Sequence, residues 1–340
     1  MELEIKGLKI PNLHPRILLI LSTIGIVITF EVSNYSRNVL VQRYMITDCL
    51  FLTFMQLIGN VVLTLPTLIK LITRQQKLRL ALLTYCIFAT VVTLAVSLSH
   101  YSSMCLSPST QVLFKSVRLI PVIVGSISIL KQSPPTPTVV SICFIVCGLV
   151  VLAISNFSGK TRFDRNGIAS IMLTLCLDAV FSNFAEKMLK IDGVPMLELI
   201  SVSYLVGSII SIASSFSSGM FQSNIDAMQN NPRVFMYLAL FSIFAALGNL
   251  IFYQLIGTFG CIIATIILSL RGPIVSFIKL PKFGQIYIYA IILISVGFSL
   301  LTCSQKEEKE PDFGKYSQDN QFETVEDFKM VEEDICEEEV

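Results

Sequence analysis

About ten apolar runs of near-membrane length follow one another through this chain, separated only by short polar or basic segments. An α-helix needs roughly 20 apolar residues to cross a bilayer core of about 30 Å. The runs cover roughly 16–36, 49–70, 80–100, 106–130, 138–155, 168–188, 197–217, 234–256, 258–278 and 284–303. The expected fold class is therefore an all-α polytopic membrane protein with about ten transmembrane helices. A hydrophobic content of 53% with only 14% charged residues excludes an ordinary soluble enzyme. The net charge of +1 carries no signal for nucleic acid, because the charges sit in loops and tails.

The breaks are legible. Segment 70–79 is basic, 133–137 reads Ser-Pro-Pro-Thr-Pro, and 156–167 and 223–233 are polar. Residues 304–340 form a polar tail of disordered character. The first apolar run follows Lys6, Lys9 and Arg16 and reads as a retained span, not a cleaved leader. Ten spans put both ends of the chain on one side. With that side in the cytosol, cytosolic segments hold 14 Lys and Arg against 8 in the lumenal ones, although Lys160, Arg162 and Arg165 run the other way.

An internal echo organises the spans. Ser33-Asn34 at the end of the first recurs as Ser182-Asn183 at the end of the sixth. Ser116-Val117-Arg118 with Pro121 in the fourth recurs as Ser269-Leu270-Arg271 with Pro273 in the ninth. A period of five spans inverts the second half, an arrangement that places a site between the halves at the midplane. The expected division is a cytosolic N-tail over 1–15, a first five-helix repeat over 16–155, a connecting loop over 156–167, a second, inverted repeat over 168–303 and a cytosolic C-tail over 304–340.

The stretch 106–130 carries the chemistry. It is long enough to span the membrane, yet it holds Lys115 and Arg118 near its middle. An ionisable group at that depth costs roughly 2.5–3.5 kcal/mol on insertion scales. Gln111, Lys115 and Arg118 stand at i, i+4 and i+7, on one helix face. Ser107-Pro108 is a good helix start, and Pro121 is expected to loosen the backbone into a hinge or kink. Arg271 lies at similar depth in the ninth span, beside Gly272-Pro273, which is expected to break its helix ladder. Three midplane cations suit a ligand with several phosphate or sulfate charges, because Arg offers a bidentate fork and Lys a point charge. The plainer alternative is cations neutralised by carboxylates on neighbouring helices.

A second group could read a base or ribose: Glu31, Asn34 and Tyr35 on the first span, with Asn183, Glu186 and Lys187 on the sixth. Glu31 or Glu186 could instead pair with the cations in the empty state, and Glu186 with Lys187 could form a loose ion pair at a solvated span end. Asp178 is expected to be buried facing a partner. Asn249 and Tyr253 share a face of the eighth span and could line the cavity or pack. The nine cysteines are scattered singly and two histidines are present, so neither a metal site nor a cofactor is expected. Asn34-Tyr35-Ser36 and Asn156-Phe157-Ser158 match the glycosylation pattern, but the first is too deep and the second too close to the membrane.

Two of these stretches resemble a known family. STQVLFKSVRLIPV over 109–122 resembles the fourth-helix signature of the nucleotide-sugar transporter superfamily, of the drug/metabolite transporter fold. LCLDAVFSNFAEK over 175–187 is similar to the sixth helix of its 3′-phosphoadenosine 5′-phosphosulfate (PAPS) transporter branch. The resemblance runs over about 20–305. It implies a ten-helix exchanger that brings PAPS into the Golgi lumen and returns a nucleotide monophosphate, with UDP-sugars or ATP/ADP as alternative cargo. Its partners would be that nucleotide-linked anion and the lipid bilayer, with no nucleic acid and a homodimer as an option. The family's paired basic positions fall on Lys115 and Arg118. Its ninth-helix Arg-Lys falls on Arg271-Gly272, so one cation is missing unless Lys279 compensates. The lack of a C-terminal dilysine signal favours the Golgi membrane over the endoplasmic reticulum.

Alternating access follows: the two halves rock about the midplane site. An empty cavity with three bare cations would reorient at high cost, which favours exchange. The rival classes are an inactive membrane scaffold and a membrane-embedded enzyme, the latter poorly supplied with acid–base groups.

Overall fold

The computed structural model describes residues 15–73, 78–131, 135–155, 164–219, 221–279 and 285–307. Of the tails expected at 1–15 and 304–340, residues 1–14 and 308–340 lie outside the described ones, as do Asn156, Lys160, Arg162, Lys282 and the Lys279 side chain, while 304–307 continue the last helix. All regular structure among the described residues is helical: α1 (Pro15–Arg43), α2 (Cys49–Thr73), α3 (Leu82–Cys105), α4 (Pro108–Ser116), α5 (Leu119–Ile129), α6 (Thr136–Ser155), α7 (Arg165–Glu186), α8 (Met196–Ser217), α9 (Phe221–Asn230), α10 (Pro232–Phe259), α11 (Cys261–Lys279) and α12 (Gln285–Glu307). A π-turn, Lys187–Ile191, prolongs α7. Eight stretches are long and apolar enough to cross a membrane, α4 and α5 counting together, and shorter apolar stretches lie in α11 and α12. The protein is an all-α polytopic membrane protein.

Local chemistry starts these helices. Ser107 accepts the Thr110 N–H and Pro108 opens the first turn of α4. Asp164 accepts from Asn166 to open α7, and Asn231 accepts from Arg233 to open α10, which Pro232 begins. Asp48 caps α2 through the Leu50 N–H at 2.9 Å, and its other oxygen accepts from Ser215 at 2.7 Å and Asn224 at 3.3 Å. One buried carboxylate thus ties together the start of α2, the end of α8 and α9. The chain turns from α10 into α11 at Gly260, whose φ of +94° suits glycine.

The main packing partners are α6 with α12, α2 with α8, α1 with α10, and α3 with α7. The α4–α5 segment lies against α7 and α11, and α11 also touches α1. The first of these seams brings backbone close to backbone. A Cβ on Gly148 would stand 3.0 Å from the Ala290 carbonyl oxygen, and one on Gly297 would stand 2.9 Å from that of Ser141.

Two expectations are corrected, at the end of the first span and at Gly272-Pro273, and the expected break near Pro121 is present. The first span does not stop near 36: α1 continues to Arg43, so Arg37 is inside the helix and not in a loop. The polar residues at 33–38 mislead there, because Ser33, Ser36 and Leu40 are buried against neighbours. Stretch 106–130 is two helices broken at Val117–Arg118. Pro121 lacks the N–H that would bond the Val117 carbonyl, and Ile120 N–H takes that carbonyl at 3.1 Å instead. In contrast, α11 runs through Gly272 and Pro273 without a break. The polar segment 223–233 holds the short helix α9.

Candidate functional site

A cavity of about 150 Å³, partly open to solvent, lies inside the bundle. Its walls come from α1, α2, α3, the α4–α5 break, α7, α8, α10 and α11. Lys115, Arg118, Arg271 and Arg37 all line it. The break at Val117 sets Arg118 between two short helices, and Pro121 is the cause of that break. Arg37 owes its place to the extension of α1.

The four cations are held differently. Arg118 Nη2 lies 2.6 Å from Asp178 Oδ2 on α7, and both side chains are largely buried. That contact is close but lacks hydrogen-bond alignment, and Arg118 Nε has no partner in the protein. Arg271 Nε lies 3.9 Å from Glu31 Oε1 on α1, too far for a hydrogen bond, and its guanidinium carbon stands 5.1 Å from the Phe30 ring centroid. Lys115 Nζ donates to Ser99 Oγ at 3.3 Å. Arg37 Nη1 donates to Ser103 Oγ at 3.1 Å, and its Nη2 reaches Asn38 Oδ1 at 3.5 Å. Among the described residues no carboxylate stands within ion-pair distance of Lys115 or Arg37. Buried guanidinium donors left open in a cavity are suited to oxyanions.

The remaining lining is mixed. Phe181 and Phe252 supply ring faces, while Asn34, Asn249 and Tyr204 supply polar groups. His100 and Gln56 pair at 2.9 Å across α3 and α2 and also face the cavity. Asn249 donates to Asn60 Oδ1 at 3.3 Å.

The other residues singled out from the sequence stand elsewhere. Gln111 turns to the Leu106 carbonyl at 3.1 Å and accepts from Ser103 Oγ at 3.0 Å, so the shared face with Lys115 is spent on a loop. Tyr35 is 65% exposed on the outer surface of α1. Glu31 is behind Arg271 and outside the lining. Asn183 donates to the Val122 and Ala179 carbonyls and accepts from Cys261 Sγ at 3.2 Å. Glu186 accepts the Cys261 N–H at 2.7 Å, capping α11, and pairs with Lys190 at 2.9 Å, not with Lys187. Lys187 is half-buried in the π-turn, away from the cavity. Tyr253 is buried and accepts from the Tyr204 hydroxyl at 3.2 Å. The cavity residues that sequence reasoning missed include Arg37, His100 and Gln56, while Asp178, expected to be buried facing a partner, is buried against Arg118 and also lines the cavity. The signal for Asp178 was a lone carboxylate in an apolar run; Arg37 was hidden by the polar residues around it.

No group of His, Cys, Asp or Glu among the described residues is arranged to hold a metal ion.

Residues 18–280 match the family described as the UAA transporter family. The chain is 29% identical over 231 residues to adenosine 3′-phospho 5′-phosphosulfate transporter 2 of Homo sapiens, covering 66% of this chain and 58% of that protein. It is 28% identical over 243 residues to the protein of that name from Mus musculus (70% and 66%), and 30% identical over 220 residues to that from Caenorhabditis elegans (63% and 60%). The chain thus spans under two thirds of the length of the human and nematode relatives it matches. One solved crystal structure superposes with a TM-score of 0.61 over 86% of this chain and 98% of that one; at 12% identity the likeness is one of fold.

Proposed function

Because the chain belongs to the UAA transporter family, we propose that it carries nucleotide-type anions across a Golgi membrane, importing PAPS from the cytosol in exchange for a nucleotide monophosphate. The observation that carries this reading is the convergence of Lys115, Arg118, Arg271 and Arg37 on one buried cavity. Cations at bilayer depth are functional by default, and four around one space call for a polyanion. Arg37 offers the charge that Gly272 lacks beside Arg271. Phosphate and sulfate oxygens take the guanidinium forks and the Lys115 ammonium, while Phe181 or Phe252 stacks on the base and Asn34 and Asn249 read its edge or the ribose. The names of the human, mouse and nematode relatives support the choice of PAPS.

The carrier works by alternating access between two five-helix halves with both ends of the chain in the cytosol. The packing supports this division. When the ten crossings are counted with α4–α5 as the fourth, the pairing of the first with the eighth is answered by the third with the sixth. That of the fourth with the sixth is answered by the first with the ninth. A shift of five converts each pairing into the other, which is what an internal two-fold requires.

The test is uptake into proteoliposomes preloaded with AMP, with labelled PAPS, ATP and UDP-sugars compared. PAPS uptake that is accelerated by preloading, and falls at least tenfold in Lys115→Ala, is the expected result. Uptake of ATP or a UDP-sugar instead assigns the other cargo, and no uptake of any removes the transport reading.

A further inference from the structure

The cavity holds a chemical contradiction. A site for a polyanion contains the carboxylate of Asp178, 2.6 Å from Arg118, and Glu31 stands directly behind Arg271 at 3.9 Å. A fixed carboxylate repels the ligand and occupies the guanidinium that should receive it, so it weakens binding unless it serves another state of the protein. Building on the anion-carrier reading above, we infer that Asp178 and Glu31 are the empty carrier's own anions: they hold Arg118 and Arg271 while no ligand is bound and give them up when oxyanions arrive.

Three observations support this. The pairs are incomplete, because neither contact makes a hydrogen bond and Nε of each arginine is buried without a hydrogen-bond partner in the protein. A structural ion pair in a buried site normally satisfies its donors, since an orphaned charged donor is costly; these two leave donors open to an incoming oxygen. The pairs also follow the internal two-fold at the level of whole crossings, although the carboxylates stand two positions out of register. Arg118 belongs to the fourth crossing and Asp178 to the sixth; Arg271 belongs to the ninth and Glu31 to the first. A shift of five converts one pair into the other, so each half lends a carboxylate to the other half's cation. Finally, the two cations that have no carboxylate, Lys115 and Arg37, are held by neutral oxygens of Ser99, Ser103 and Asn38. They keep a residual charge that draws the ligand in, after which the paired arginines are released to it.

The consequence revises the expectation of three bare cations. With two of its charges covered, the empty cavity has a lower barrier to reorientation, and the wild-type carrier performs slow net uptake as well as exchange. Without the internal anions, reorientation depends on bound ligand.

The decisive experiment uses the purified full chain in detergent with inorganic pyrophosphate as probe, so it does not depend on which nucleotide is carried. Thermal melts and equilibrium titrations are compared for wild type, Asp178→Asn, Glu31→Gln and Arg118→Gln/Asp178→Asn. We expect Asp178→Asn to melt lower without pyrophosphate, to recover with it, and to bind it roughly tenfold more tightly than wild type, as a competing charge has gone. The double variant regains stability without pyrophosphate and loses the tighter binding. Should Asp178→Asn fail to fold, Glu31→Gln carries the same expectation through Arg271. Unchanged or weaker pyrophosphate binding in the folded carboxylate variant overturns the inference, as does a wild type that does not bind pyrophosphate. In proteoliposomes, Asp178→Asn should lower uptake into empty vesicles at least tenfold more than exchange into loaded ones; equal loss of both marks a scaffolding pair. A wild type that carries no PAPS would defeat the cargo assignment alone, leaving the pyrophosphate result to stand or fall separately.

Discussion

Asn183 on α7 donates its amide to the Val122 carbonyl on α5 at 3.0 Å, where the two helices approach so closely that a Cβ on Gly125 would lie 2.5 Å from the same amide. The amide also serves Ala179 at 2.8 Å and Asn183 Oδ1 receives the Cys261 thiol, so one side chain joins α5, α7 and α11. Replacing it with leucine leaves buried polar partners unmet, at about 1–3 kcal/mol for each unsatisfied group. Asn183→Leu should lower the melting temperature by several degrees while ligand affinity per folded molecule stays within about twofold. Full thermal stability with lost binding would instead make Asn183 a ligand group.

Arg37 brings a fourth charge to the cavity. Arg37→Gln should weaken a highly charged ligand more than AMP, by about tenfold against threefold, as expected for a point charge acting on different ligand charges. The salt dependence of uptake should flatten with it. Competition of both ligands against labelled substrate at two ionic strengths reads this out. Equal losses for both ligands would remove Arg37 from the charge set.

Tyr35 neighbours the cavity residue Asn34 in sequence but stands about 100° round the helix, on the outer surface. Tyr35→Ala is expected to transport within about twofold of wild type, because a scattered surface residue contributes little. A tenfold fall in uptake at normal expression would contradict that placement.

Asp48 serves three elements at once: the Leu50 N–H, Ser215 and Asn224. Hydrogen bonds to a charged group contribute about 1.5–3 kcal/mol. Asp48→Ala should therefore cost about 3 kcal/mol and expose the α8–α9 connection to protease, and Asp48→Asn should recover part of the loss. Limited proteolysis alongside melting curves checks both; resistance equal to wild type would show that α9 is held by its apolar contacts alone.

The membrane fold was readable because apolar length and the absence of charge are local properties. Lys115, Arg118 and Arg271 stood out for the same reason, each being a cation in an apolar run. Arg37 did not, since the polar residues from Ser33 to Asn38 look like a loop until burial against α10 is known. A break was expected both at Pro121 and at Gly272-Pro273 and only the first is present, although both prolines lack the same N–H. Asn183, Glu186 and Gln111 are chemically able to hold a ligand, and only the three-dimensional arrangement shows them spent on carbonyls and N–H groups of adjoining helices. Their allocation depends on residues far along the chain, such as Val122 and Cys261.

The seam between α6 and α12 sets a mechanical reference for everything else. With Gly148 and Gly297 bringing backbone against backbone, these helices have no room to slide and turn as one block. The cavity draws none of its lining from them. Under the proposed alternating access the α6–α12 pair is therefore expected to act as a stator, keeping its shape while α1, α3, α7 and α11 respond to the ligand.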